Sequence, residues 1–72
     1  MPDFYHIVKD FIAEKKLKPL SSLGEKDMRL IGFALKKGDI DVDAAVNAFL
    51  QQREYRLELS GRDIEELKKK LK

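Results

Sequence analysis

The stretch Ala34-Leu-Lys-Lys-Gly-Asp-Ile-Asp-Val-Asp-Ala-Ala-Val-Asn-Ala-Phe-Leu50 determines the fold class of this chain. Two lysines and Gly38 end its first part. This combination is common where a helix stops, because glycine readily adopts the left-handed conformation required there. An acidic turn follows, in which Asp41 can cap the next helix. That helix has apolar residues at helical spacing: Val42, Ala45, Val46, Phe49 and Leu50. The stretch therefore predicts two consecutive helices joined by a short turn.

A first helix is predicted over residues 3–17. Its apolar positions follow the i, i+3, i+4, i+7 pattern and are Phe4, Ile7, Val8, Phe11 and Ile12. Asp3 can cap its start. Pro19 disfavours helical geometry in the residue before it, so the helix should end near Leu17. Residues 18–24 are then interpreted as a loop whose leucines fold back onto the core.

A second helix is predicted over residues 23–37. Ser22 precedes Glu25 by three residues, which is the spacing of a reciprocal capping box. The apolar residues of this helix occupy one broad arc, which predicts that it is the central helix of the domain. They are Met28, Leu30, Ile31, Ala34 and Leu35.

The third helix is predicted over 42–56 and a last one over 61–71. The pattern of residues 55–60 fits either a helix or a short extended segment. Ser60 and Asp63 have capping-box spacing at the start of the last helix. The sequence thus predicts a single all-α domain over 1–72, a small bundle of three core helices plus a C-terminal helix. Whether that helix packs on its own chain or on a second copy stays open.

Composition argues against several classes of protein. The 72 residues include 15 basic and 13 acidic side chains, a formal net charge of +2, whereas nucleic-acid modules usually have a larger basic excess. The absence of cysteine excludes disulfides and thiolate metal sites. No signal peptide and no apolar run long enough to span a membrane is present in the sequence, which favours a cytoplasmic protein without a membrane partner.

No catalytic or metal-binding constellation is recognisable. Asp39, Asp41 and Asp43 match the first ligand positions of a calcium loop, but Ala44 and Leu50 occupy the places of its glycine and its closing glutamate. His6, the only histidine, has no evident nucleophile or orienting group beside it. We expect no enzyme activity, no cofactor and no metal site.

Part of the chain resembles the ubiquitin-associated (UBA-like) helical module. The resemblance covers residues 23–50 and is carried by Leu23-Gly24, Ala34-Leu35, Gly38-Asp39-Ile40, Ala44-Ala45-Val46 and Phe49-Leu50. It departs at Glu25, where the family usually has an aromatic residue. The resemblance implies a three-helix bundle that makes protein–protein contacts, with ubiquitin among the partners of some branches. It also implies a binding surface formed by Leu23, Gly24, Phe49 and Leu50.

The leading functional hypothesis is a non-enzymatic protein–protein interaction module, with another protein or a second copy of the chain as partner. Apolar residues beyond the needs of one small core are its candidate contacts. They are Phe33, Tyr55, Leu57, Leu59 and the C-terminal leucines.

The alternative hypothesis is a small nucleic-acid-binding or regulatory protein. It uses Phe33 for stacking on a base and two groups of cations for the phosphates. These cations are Lys36 and Lys37 on the second helix and Lys68, Lys69 and Lys70 at the C-terminus. Binding of DNA as a helix-turn-helix motif is less favourable. Asp41 and Asp43 would then enter the major groove, where their carboxylates lie close to the DNA phosphates.

Overall fold

The computed structural model describes residues 3–72 and confirms the all-α class. It contains five helices, Phe4–Glu14 (α1), Ser22–Lys37 (α2), Val42–Leu50 (α3), Arg53–Glu58 (α4) and Gly61–Leu71 (α5), and no strand within the described range. Three of the predicted caps are present. Asp3 accepts a hydrogen bond from the His6 amide at 2.9 Å, Asp41 accepts one from the Ala44 amide at 2.7 Å, and Ser60 forms a reciprocal capping box with Asp63.

The end of α1 differs from the prediction. The helix stops at Glu14, three residues early, because Lys16 adopts a left-handed conformation with φ 58°. The Lys16 amide then donates to the Ala13 carbonyl and the Leu17 amide to that of Ile12. This pair of bonds is a Schellman motif, the same device that Gly38, with φ 82°, provides at the end of α2.

The start of α2 also differs. Ser21, not Ser22, is the N-cap, and its hydroxyl accepts a hydrogen bond from the Gly24 amide at 3.0 Å. The predicted capping box between Ser22 and Glu25 is therefore wrong. Leu23 lies in the first turn of the helix rather than in a loop that folds back onto the core.

The predicted third helix is divided in two. α3 ends at Leu50, Gln52 is extended, and α4 then begins at Arg53. In one continuous helix Phe49 and Tyr55 would lie on different faces, since six residues correspond to well over one and a half turns. The break places the two rings in a stack with centroids 5.0 Å apart. Residues 53–58 are thus helical, and Leu59 is extended.

Tyr55 and Leu59 belong to the core and not to a binding surface, which corrects the prediction. The Tyr55 hydroxyl donates a hydrogen bond to the Lys18 carbonyl at 2.7 Å, so α4 is fastened to the chain after α1. Burial raises the pKa of this phenol, and Glu54 raises it further. Of the predicted surplus apolar residues, Leu67 is also fully buried, whereas Phe33 and Leu57 are exposed.

The helices pack in the cyclic order α1, α2, α3 and α5, and α4 packs on α3. α2 contacts two neighbours but is not the central helix, because its fully buried apolar side chain is Met28 alone. α1 and α3 supply most of the core instead. The buried apolar residues are Phe4, Tyr5, Val8, Phe11, Ile12, Met28, Ala45, Val46, Phe49, Tyr55, Leu59 and Leu67.

α5 packs on its own chain, which answers the question that the sequence left open. Leu67 is buried, and Ile64 and Leu71 pack at the margin of the core. Two ion pairs join its start to the end of α1, since Lys15 Nζ lies 2.8 Å from Glu66 and 3.3 Å from Asp63.

The crossing of α1 and α2 depends on Gly32. A methyl group built on Gly32 would lie 2.9 Å from Cβ of Phe4. Glycine therefore allows the two helices to approach more closely than any other residue would permit here.

Across residues 3–72, no helix combines the length and apolar character needed to cross a bilayer.

Candidate protein-binding surface

The outer face of α2 carries an exposed row of apolar side chains. Leu23 is 71% exposed, and Leu30 and Phe33 are each 61% exposed. These residues recur with Lys26 and Lys37 at the alternating three- and four-residue spacing of a coiled-coil seam. We call the five residues Leu23, Lys26, Leu30, Phe33 and Lys37 the α2 seam.

The α2 seam exists because α2 has more apolar residues than one core-facing stripe can bury. Met28, Ile31 and Leu35 face the other helices and are buried or half-buried. Leu30 lies roughly 100° around the helix from Ile31, since successive residues are separated by that angle. The broad apolar arc of α2 is therefore only partly covered by its neighbours, and Leu30 lies on the uncovered part.

Cations surround the aromatic end of the seam. The Lys37 ammonium nitrogen lies 4.6 Å from the centroid of the Phe33 ring, within the range of a cation–π contact. The Arg29 guanidinium lies 4.5 Å from the centroid of the Tyr5 ring. Arg29, Phe33 and Lys36 line a shallow groove between α2 and the start of α1. The groove can accommodate an apolar group that carries or adjoins negative charge.

One carboxylate borders this groove. Asp3 lines it and has a pKa below its ordinary value of 3.8, chiefly because the His6 backbone amide donates to it. The His6 side chain contributes next and Arg29 contributes least. Asp3 therefore acts chiefly as the cap of α1.

Most of the other predicted protein contacts lie elsewhere. Gly24 is buried inside the first turns of α2, and Phe49 is fully buried in the core, so neither reaches the surface. Leu50 is half-buried against the core. Leu57 is 74% exposed on α4 and is not part of the α2 seam. It lines a groove between α4 and residues 16–18, which follow α1.

Two of the α5 lysines of the alternative hypothesis are partly neutralised by acidic neighbours. Leu71 of α5 and Leu35 and Lys36 of α2 line one groove together with the start of α1. Lys68 lies 3.4 Å from an Asp43 carboxylate oxygen and 3.9 Å from one of Glu65, and Lys70 lies 2.7 Å from Glu14. The pair with Lys70 holds the pKa of Glu14 below its ordinary value.

The acidic turn and His6 have structural roles. Asp41 caps α3, and Asp43 is paired with Lys68. The Nδ1 atom of His6 lies 2.7 Å from Asp3. Within residues 3–72, no group of three potential metal ligands is assembled.

No protein-family model, curated protein or solved structure matches this chain. The resemblance to the UBA-like module therefore stays a prediction.

The sequence pointed to Leu23, Phe33 and Lys37 as separate candidates, but Lys26 and Leu30 were not recognised as members of the same row. The heptad spacing of residues 23, 26, 30, 33 and 37 was visible in the sequence. It could not be recognised as a separate surface until Met28, Ile31 and Leu35 were known to supply the core contacts of α2.

Proposed function

We propose that this protein is a non-enzymatic helical module that binds another protein through the α2 seam. The observation that carries the proposal is the exposure of Leu23, Leu30 and Phe33 along a single face of one helix. Leaving large apolar side chains in water forgoes roughly 1.5–3 kcal/mol for each that could be buried. Several large apolar side chains exposed on one face of a helix are typical of an interaction site.

The size and stability of the domain also favour binding over catalysis. A chain of 72 residues has a net stability of roughly 4–10 kcal/mol, which leaves little for strained or desolvated catalytic groups. A rigid helix that presents preformed contacts requires no such groups. An exposed face on a packed helix binds without the entropy loss that ordering a flexible segment would entail.

The test is affinity capture from cells with three purified baits: the unaltered protein, Leu30→Ser and Leu57→Ser. Both substitutions replace an exposed leucine, so both variants should retain the helical circular-dichroism signal of the unaltered chain. We expect proteins bound by the unaltered bait to be lost with Leu30→Ser and retained with Leu57→Ser. Equal loss with both baits, or equal retention with both, would contradict a function of the α2 seam.

One observation favours nucleic-acid binding as a second candidate function. Phe33 is exposed between Arg29, Lys36 and Lys37, so its ring can stack on a base while the cations contact phosphates. Binding of this kind should weaken steeply as salt rises, because counterions are released from the nucleic acid. Retention on single-stranded DNA that disappears both in high salt and on Phe33→Ala substitution would support it.

A further inference from the structure

The chemistry of the α2 seam indicates the kind of protein that fits it. We propose that the partner is an amphipathic helix with acidic residues beside its apolar stripe, which docks lengthwise along the α2 seam. This inference rests on the proposed function and names the class of partner.

The geometry of the seam favours a helix as the occupant. From Leu23 to Lys37 the seam covers 15 residues, and the 14 steps between its ends span about 21 Å of helix at 1.5 Å per residue. Side chains repeated at three- and four-residue spacing form holes that receive the side chains of a facing helix. Leu23, Leu30 and Phe33 supply the apolar contacts along that length.

The charges favour an acidic partner. Lys26 and Lys37 lie within the seam, and Arg29 and Lys36 occupy corresponding positions along one edge, one heptad apart. All four side chains belong to exposed residues. The other edge has Asp27 and Ala34. The seam and its two edges together therefore carry four positive charges and one negative charge. Glutamate or aspartate residues flanking a partner's apolar stripe would therefore meet cations at most positions, which sets both partner choice and orientation.

The same charges argue against a second copy of this chain. In an antiparallel pair centred on Leu30 and Phe33, Lys26 of one copy would face Lys37 of the other, and Arg29 would face Lys36. In a parallel pair each lysine of the seam would face its own equivalent. Both arrangements place like charges together, which is unfavourable at a helix interface. An acidic helix removes this repulsion.

The experiment uses two synthetic helical peptides of about three heptads with identical leucine stripes. One has glutamate at all flanking positions and the other has lysine there. Each is titrated into the isotopically labelled full chain at low salt, and backbone amide shifts are recorded by NMR. We expect the glutamate peptide to shift amides of residues 23–37 and the lysine peptide to shift none of them.

Two variants and one control sharpen the result. Leu30→Ser should weaken binding of the glutamate peptide by about tenfold or more, since one buried leucine contact is lost. The double variant Arg29→Glu with Lys36→Glu should weaken it by about tenfold and should gain binding of the lysine peptide. Leu57→Ser, the control, should bind the glutamate peptide as the unaltered chain does.

Several outcomes would overturn the inference. Equal binding of both peptides would show that charge does not select the partner. Amide shifts centred outside residues 23–37 would show that the peptide binds elsewhere than the α2 seam. Absence of binding by the glutamate peptide would also overturn it, as would a dimer in sedimentation equilibrium that Leu30→Ser converts to monomer. If an oligothymidine shifted residues 23–37 and the glutamate peptide did not, nucleic acid would replace the helix as occupant. Cellular capture that depends on Leu30 but yields a partner without an acidic helix would refute this inference while sustaining the proposed function.

Discussion

Replacing Gly32 by alanine produces two opposing effects of similar size at the crossing of α1 and α2. In an open helix the change should stabilise the protein by about 1 kcal/mol, because alanine has the higher helix propensity. At Gly32 the new methyl group would lie 2.9 Å from Cβ of Phe4, well inside the usual carbon–carbon separation of roughly 3.5–4 Å.

The clash should outweigh the gain in propensity. The Cβ atom of Phe4 is attached directly to the backbone, and the Phe4 side chain is buried, so the contact cannot be relieved by rotating a flexible side chain. Overpacking of this kind costs about 1–3 kcal/mol. We therefore expect Gly32→Ala to lower the free energy of unfolding by roughly 1 kcal/mol, the middle of the difference between the two effects.

The assay is urea unfolding followed by circular dichroism, with Gly61→Ala as the matched control. A methyl group on Gly61, at the start of α5, would meet no atom within 4 Å. That substitution should be neutral or stabilising by up to about 0.5 kcal/mol. The midpoint should fall for Gly32→Ala with an unchanged slope, and its melting temperature should fall by about 4–8 °C for each kcal/mol lost. If Gly32→Ala stabilised the protein as much as Gly61→Ala does, the close approach of α1 and α2 would be refuted.

Three further predictions concern stability. Tyr55→Phe should lower the free energy of unfolding by about 1 kcal/mol, because the Lys18 carbonyl loses its hydrogen bond; an unchanged urea midpoint would contradict this. Lys16→Gly should raise the free energy of unfolding by about 1 kcal/mol, because glycine adopts φ 58° without strain. A lower urea midpoint for this variant would show that the Lys16 side chain has another role. Asp63 and Glu14 have folded-state pKa values below their ordinary values of 3.8 and 4.5. Their ionised carboxylates therefore stabilise the fold at pH above the ordinary values, and this stabilisation is lost as the pH falls through the folded-state pKa values. Asp63→Asn should therefore flatten the acid limb of the stability–pH curve measured by urea unfolding, whereas a curve parallel to that of the unaltered chain would exclude this linkage.

The starts and ends of helices could be predicted where one short segment supplies both partners of a hydrogen bond. Asp3, Asp41 and Ser60 each bond to an amide three residues ahead, so their roles are visible in the local sequence. Gly38 is recognisable for a similar reason, because its conformational freedom is intrinsic. Lys16 could not be recognised in this way. A lysine rarely adopts a left-handed conformation, and here the motif also places Leu17 against the core.

The candidate site was only partly predictable. Phe33 was identified from the cations around it, but the choice between an exposed and a covered ring depended on which helices pack on α2. Leu30 and Leu67 look equivalent as apolar residues on amphipathic helices, yet Leu30 is 61% exposed and Leu67 is fully buried. Which face of a helix is covered depends on neighbours that are distant in sequence.

The sequence by itself determined that this is an all-α domain, because hydrophobic periodicity and capping act over a few residues and need no partner elsewhere in the chain. The tertiary structure decided the break between α3 and α4, the close crossing at Gly32, the packing of α5 on its own chain and the exposure of the α2 seam. Each of these depends on how side chains from separate helices share one small volume. A local pattern does not specify that arrangement, because it carries no information about which faces of different helices meet.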